Sequence, residues 1–80
     1  MQEEREHIKI SLYKNALTGV WLQKQLENRG IKTDKSELSS VLSGSRKGPK
    51  AVTIINTAIE VLRDYETAMK LGISQEVKTQ

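Results

Sequence analysis

Eighty residues with 13 Lys and Arg against 10 Asp and Glu, a formal net charge of +3 and no cysteine describe one small domain. A chain this short buries only a modest share of its surface, which argues against a large catalytic cleft, and neither a disulfide framework nor a thiolate metal site can brace it. No run approaches the roughly 18 apolar residues of a membrane span, and the acidic start from Met1 to Glu6 lacks the layout of a signal peptide, so a soluble protein of a reducing cytoplasm is expected.

From Glu3 to Leu17, Ile8, Leu12 and Ala16 recur every fourth residue with no Gly or Pro between them, which predicts a first helix with one apolar face. Thr18-Gly19 then punctuates the chain. Thr18 suits the N-cap of a second helix in which Leu22 and Leu26 stack one turn apart, running to about Asn28. Gly30 can take the positive φ that ends it, and Arg29 to Thr33 reads as a turn with Ile31 as its one apolar anchor.

Asp34 opens a short third helix, 34–43, with Glu37 three residues on in the capping-box arrangement. Leu38, Val41 and Leu42 face inward, which leaves Lys35, Ser36, Ser39, Ser40 and Ser43 outward. Serine is a mediocre helix former, so four of them on one short helix need a reason. They either keep the surface soluble or let the helix approach another surface closely, with hydroxyls that donate or accept there.

Gly44 sits where a C′ glycine belongs, and Ser45 to Lys50 is a basic loop in which Pro49 can begin a fourth helix reaching about Leu71. That helix shows two apolar stripes, Val52/Ile55/Ile59/Leu62 beside Ile54/Ala58/Val61/Tyr65, and the first helix shows a similar doubling with Ile10, Tyr13 and Leu17. Either the core-facing stripe is wide or some apolar surface awaits another subunit. The domain is expected to span 1–72, with 73–80 a polar, frayed tail after Gly72. The fold class expected is all-α, a small bundle of four to five helices.

Charge is unevenly spread. Between Arg29 and Lys50 six basic residues (Arg29, Lys32, Lys35, Arg46, Lys47, Lys50) face two acids, Asp34 and Glu37, a net +4, while the remainder of the chain nets −1. A loop-rich surface can collect lysines for solubility alone, but a stripe of this kind also suits phosphate.

Thr18 to Gly44, followed by a basic loop and an Ile/Leu-rich helix, resembles the helix-turn-helix of lambda-repressor-like (Cro, CI, Xre) regulators, in particular phage repressor-like proteins of Gram-positive bacteria. Thr18 stands where that family opens the first motif helix, Leu22 and Leu26 where it buries leucines, and Ile31 where it places an apolar turn residue. The cap and the two base-touching residues of its recognition helix carry over onto Asp34, Lys35 and Ser36, with Leu38 and Val41 as the buried pair. Leu38-Ser39 and Ser43-Gly44 are similar to its Ile-Ser and its closing Ser-Gly or Asn-Gly. Two departures stand out: Gly19 replaces the phosphate-binding glutamine, and the stretch is about five residues longer, so the turn between the motif helices is elongated.

The resemblance implies a sequence-specific, double-stranded DNA-binding transcription regulator, a repressor or Cro-like protein of a phage or mobile element, and not an enzyme. Helix 34–43 would lie in the major groove, with Lys35, Ser36, Ser39 and Ser40 at bases and Arg29, Lys32, Ser43, Arg46, Lys47 and Lys50 at phosphates. A homodimer on half-sites about 10 bp apart is the expected form. A different class of function is a protein-interaction module that docks the apolar faces of the first and fourth helices onto a phage or host regulator.

Other chemistries find little support. His7 is the only histidine, which excludes a multi-histidine metal site, and it sits in an acidic stretch that suggests plain exposure. Glu3/Glu4 and Glu60/Asp64 read as solvated helix faces, and Gly44 to Gly48 lacks the glycine spacing and Gly-Lys-Ser/Thr ending of a P-loop. Trp21, next to Leu22, reads as packing, since single-strand binders use several aromatics in a basic groove. No cofactor, small-molecule substrate or membrane partner is expected.

Overall fold

The computed structural model describes the backbone of residues 1–79 and the side chains of residues 1–70. Four helices follow in order: α1 (Gln2–Lys14), α2 (Gly19–Asn28), α3 (Lys35–Ser43) and α4 (Pro49–Thr79). The described residues contain no strand. α4 packs against each of the other three helices, so it is the spine of an all-α bundle.

The local signals for α2 and α3 act as written. Thr18 Oγ1 accepts from the Trp21 N–H at 3.1 Å and Asp34 Oδ1 from the Glu37 N–H at 2.7 Å, each satisfying a donor that the first helical turn leaves free. Gly30 (φ +87°) and Gly44 (φ +89°) terminate α2 and α3 in the left-handed region. At the end of α2 the N–H of Gly30 reaches Glu27 O and that of Ile31 reaches Leu26 O, both at 2.9 Å, a Schellman closure that carries Ile31 back onto the core.

α1 departs from expectation. It stops at Lys14, short of Leu17, and Ala16 is exposed instead of lying on the buried face. The cause is a second Schellman closure, in which the N–H of Ala16 bonds Tyr13 O at 3.1 Å and that of Leu17 bonds Leu12 O at 2.8 Å. Ala16 accordingly sits at φ +55°, the only described non-glycine residue with positive φ, and Leu17 becomes the apolar anchor against the core.

Ile8 and Leu12 of α1, Leu22 and Leu26 of α2 and Leu38 and Val41 of α3 meet Ala51, Ile54, Ile55, Ala58, Val61 and Leu62 of α4 in one core. Both apolar stripes of α4 are therefore needed, because three helices surround it; the exception is Val52, which is exposed. The doubled stripe of α1 has no such explanation, since Ile10 is 61% and Tyr13 89% exposed. Trp21 meets Tyr65 edge to face, centroids 5.2 Å apart at 76°, which seats it in packing between α2 and α4.

A polar clasp joins α1 to α4. The Ser11 hydroxyl and the Asn15 amide donate to Glu66 Oε2 at 3.1 and 2.8 Å, and Ser11 is the one buried polar residue among those described. Asn15, then Ser11, hold the Glu66 carboxyl below its ordinary pKa against an opposing push from burial. α4 continues as helix past Gly72 to Thr79, where the sequence reading ended it near Leu71 and set 73–80 apart; the side chains of that segment lie outside the described residues. A helical Gly costs about 1 kcal/mol relative to Ala, which weakens a helix without stopping it.

Candidate nucleic-acid interface

α3 presents Lys35, Ser36, Ser39 and Ser43 to solvent, with Ser40 half-buried. All but Lys35 are small, so the exposed side of the helix is a low ridge with one long cation at its N-terminal end. The Ser43 hydroxyl is occupied locally, donating to Ser40 O at 3.1 Å and lying 3.0 Å from the Ser45 hydroxyl. It helps close the helix where the chain turns into the basic loop.

On one flank of the ridge, Lys35, Ser39 and Ser43 share a groove of about 380 Å³ with Lys9 of α1 and Gly19 and Gln23 of α2, over a floor that includes Leu38 and Leu42. The sequence reading missed Lys9 and Gln23. Nothing in their spacing marks them, because they reach α3 only through the packing of α1 and α2. Gln23 also donates to Thr33 O at 3.2 Å, which ties α2 to the six-residue connection before α3. At Gly19 a side chain would meet no atom within 4 Å, so the position expected to hold a phosphate-binding glutamine faces open space.

On the other flank, Glu37 behaves differently from a capping-box glutamate. Its carboxylate does not accept from the Asp34 N–H; instead it accepts from Arg46 Nη1 at 3.4 Å and Lys50 Nζ at 3.1 Å. Its side chain is 12% exposed, whereas those of Arg46 and Lys50 remain more than half exposed. The Thr33 hydroxyl and Lys50, together with the charge of Arg46, lower its pKa against partial burial. Glu37 at the third helical position thus points at the loop 44–48 and the start of α4, which the fold delivers beside it.

Arg29 is also engaged. Its guanidinium lies 2.7 Å from Asp64 and 3.8 Å from Glu60 on α4. Of the six cations between residues 29 and 50, then, three have carboxylate partners and three (Lys32, Lys35 and Lys47) have no ion pair among the described residues. The structure gathers Lys35, Ser39 and Ser43 along one groove and Arg46 and Lys50 on one carboxylate, while Arg29 is drawn toward α4.

His7 is exposed, and no group of three potential metal ligands occurs among the described residues. No described helix is long and apolar enough to cross a membrane. No family model, no curated protein and no solved structure matches the chain.

Proposed function

We propose that this chain is a DNA-binding regulator of the helix-turn-helix kind, with α3 laid in the major groove of double-stranded DNA. One observation carries the reading: Glu37, the one acid within α3, is held by Arg46 and Lys50, and the Asp34 carboxylate that caps the helix accepts from the Glu37 N–H, so the exposed ridge of α3 itself offers DNA a lysine and small hydroxyls. A phosphate-lined groove repels an unpaired carboxylate and admits short side chains readily. The lambda-repressor-like resemblance of Thr18 to Gly44 points the same way.

Lys35 reads guanine O6/N7 as a single donor, and Ser36, Ser39 and Ser40 supply shorter contacts. Phosphates fall to Lys32 and Lys47, and to Arg46 and Lys50 through their exposed sides, with Ser43 a lesser contributor because its hydroxyl is already bonded. Arg29 contributes least, since two carboxylates stand beside it. The protein acts as a homodimer in a bacterial cytoplasm, where occupancy of an operator represses transcription.

Selection of bound sequences from random duplex DNA, followed by affinity measurements against salt, tests this. Enrichment of a two-fold symmetric site and a steep negative slope of log K against log[salt] are expected. Absence of any salt-dependent DNA affinity defeats it. That outcome favours a protein-interaction module docking through α1, a reading that rests on the exposure of Ile10 and Tyr13.

A further inference from the structure

A cleft of about 320 Å³ lies between the start of α1, the basic loop and the first two turns of α4. That volume is at the low end of small-molecule sites, which run from about 300 to 1,000 Å³. Val52 and Met1 give its exposed apolar wall, with the edges of the core residues Ala51 and Ile55 behind them, and Arg5, Arg46 and Lys47 stand around it with no acidic residue lining it. Val52, the one member of the α4 stripes left substantially exposed (42%), is exposed here.

The three cations are not spent on one another's neighbours to the same degree. Among the described residues Lys47 has no ion pair and Arg5 is hydrogen-bonded only to the neutral Gln2, while Arg46 keeps its guanidinium half exposed beside Glu37. Arg5 also packs its guanidinium about 3.2 Å from where a Cβ on Gly44 would lie, so the end of α3 forms part of its seat. An apolar wall with a cationic rim and no carboxylate matches one ligand chemistry: an anionic head on a short aliphatic or aromatic tail.

We propose that this cleft is a binding site for a soluble small carboxylate with an apolar tail, its head between Lys47, Arg46 and Arg5 and its tail along Val52 and Met1. The site uses two cations assigned above to DNA phosphate, so an occupant lowers DNA affinity and serves as an effector. The binding itself stands independently of the DNA reading.

Titration of the full chain with sodium acetate, butanoate, hexanoate and octanoate at constant ionic strength, followed by ¹H–¹⁵N correlation spectra, tests it. Shifts should centre on the amides of Gly48, Ala51 and Val52. Affinity should rise by roughly fourfold per added methylene until the wall is covered, the factor expected for moving a CH₂ out of water. Octylammonium, with a tail one carbon longer and the opposite charge, should not compete. Val52→Asp, which sets a carboxylate in the wall at an exposed position, and Lys47→Gln should each weaken octanoate binding while the spectra remain dispersed.

Affinity that is independent of chain length, equal binding of octylammonium, or two folded variants that bind like the parent would overturn the assignment. If octanoate binds as described and no duplex DNA does, the effector cleft stands and the DNA reading falls. If DNA binds and octanoate shifts none of these amides, the reverse holds.

Discussion

Glu37→Gln should make this protein bind DNA more tightly and with a steeper salt dependence. In the parent, Arg46 and Lys50 share one carboxylate at 3.4 and 3.1 Å, so the three groups together offer DNA a net charge of +1 instead of +2. Glutamine keeps the shape and can still accept a hydrogen bond, but it removes the negative charge and frees one equivalent of cation for phosphate. Each phosphate neutralised adds about 0.9 to the magnitude of the slope of log K against log[salt]. The variant should therefore gain about 0.9 in slope, equivalent to roughly eightfold between 1 M and 0.1 M salt by the same relation. Fluorescence anisotropy with a random 20-mer duplex over a salt series reads this directly, with circular dichroism to verify the fold. The Asp34 cap, which uses the Glu37 backbone N–H, is untouched by the change. An unchanged slope would refute the view that these two cations face phosphate, and a shallower one would mean that Glu37 is needed to aim them.

Lys35→Ala should cost about 1–3 kcal/mol on a selected operator and less on random DNA, because a base contact discriminates and a phosphate contact does not; equal losses on both would contradict base reading. Asp34→Ala removes the acceptor for the Glu37 N–H and should lower stability by about 1 kcal/mol in thermal melts; a midpoint that does not move would show the cap to be idle. Ala16→Gly relieves a positive φ that costs an L-residue roughly 1–2 kcal/mol, offset by the roughly 0.5–1 kcal/mol that glycine loses in chain entropy. A net gain near 0.5–1 kcal/mol, seen as a melting midpoint a few degrees higher, is expected, and a lower midpoint would count against the left-handed closure of α1. The carboxyls of Glu37 and Glu66 are both held below the ordinary glutamate range by their hydrogen-bond and ion-pair partners, so their contribution is present above the unfolded pKa and is lost as pH falls through the lower folded values. Melting midpoints should drop as pH falls below the ordinary glutamate range, and Glu66→Gln should shallow that drop; identical acid profiles for parent and variant would refute the clasp.

The features legible in the sequence are those written within a few residues of each other. Thr18 and Asp34 cap a helix start through side-chain oxygens that accept backbone N–H groups three positions on, Gly30 and Gly44 close a helix end through backbone bonds spanning three to five positions, and the structure places all four where local chemistry assigns them. Ala16 was hidden because a left-handed stop is normally advertised by glycine. The available signal was Leu17, an apolar residue five positions after Leu12, in the spacing that a Schellman closure needs. The doubled stripe of α4 became interpretable only when three helices were seen to surround it, whereas the same doubling on α1 remained on the surface as Ile10 and Tyr13.

Charge was the least legible property, because its partners come from elsewhere in the chain. Arg29 finds Asp64 thirty-five residues away, and Glu37 finds Arg46 and Lys50 nine and thirteen residues on, all by tertiary packing that helical periodicity does not encode. A uniform segment of +4 in sequence is therefore not a uniform field in space. Arg29 with Glu60 and Asp64 sums to −1, Glu37 with Arg46 and Lys50 to +1, and Lys32, Lys35 and Lys47 stand apart from any carboxylate within ion-pair distance among the described residues. Phosphate responds to that local arrangement, since charges farther apart than a Debye length of about 8 Å are largely screened at physiological salt. The side of the protein bearing Arg29, Glu60 and Asp64 is thus disfavoured against DNA. On the DNA-binding proposal, the ridge of α3 and the loop that follows it are then the surface expected to meet a duplex.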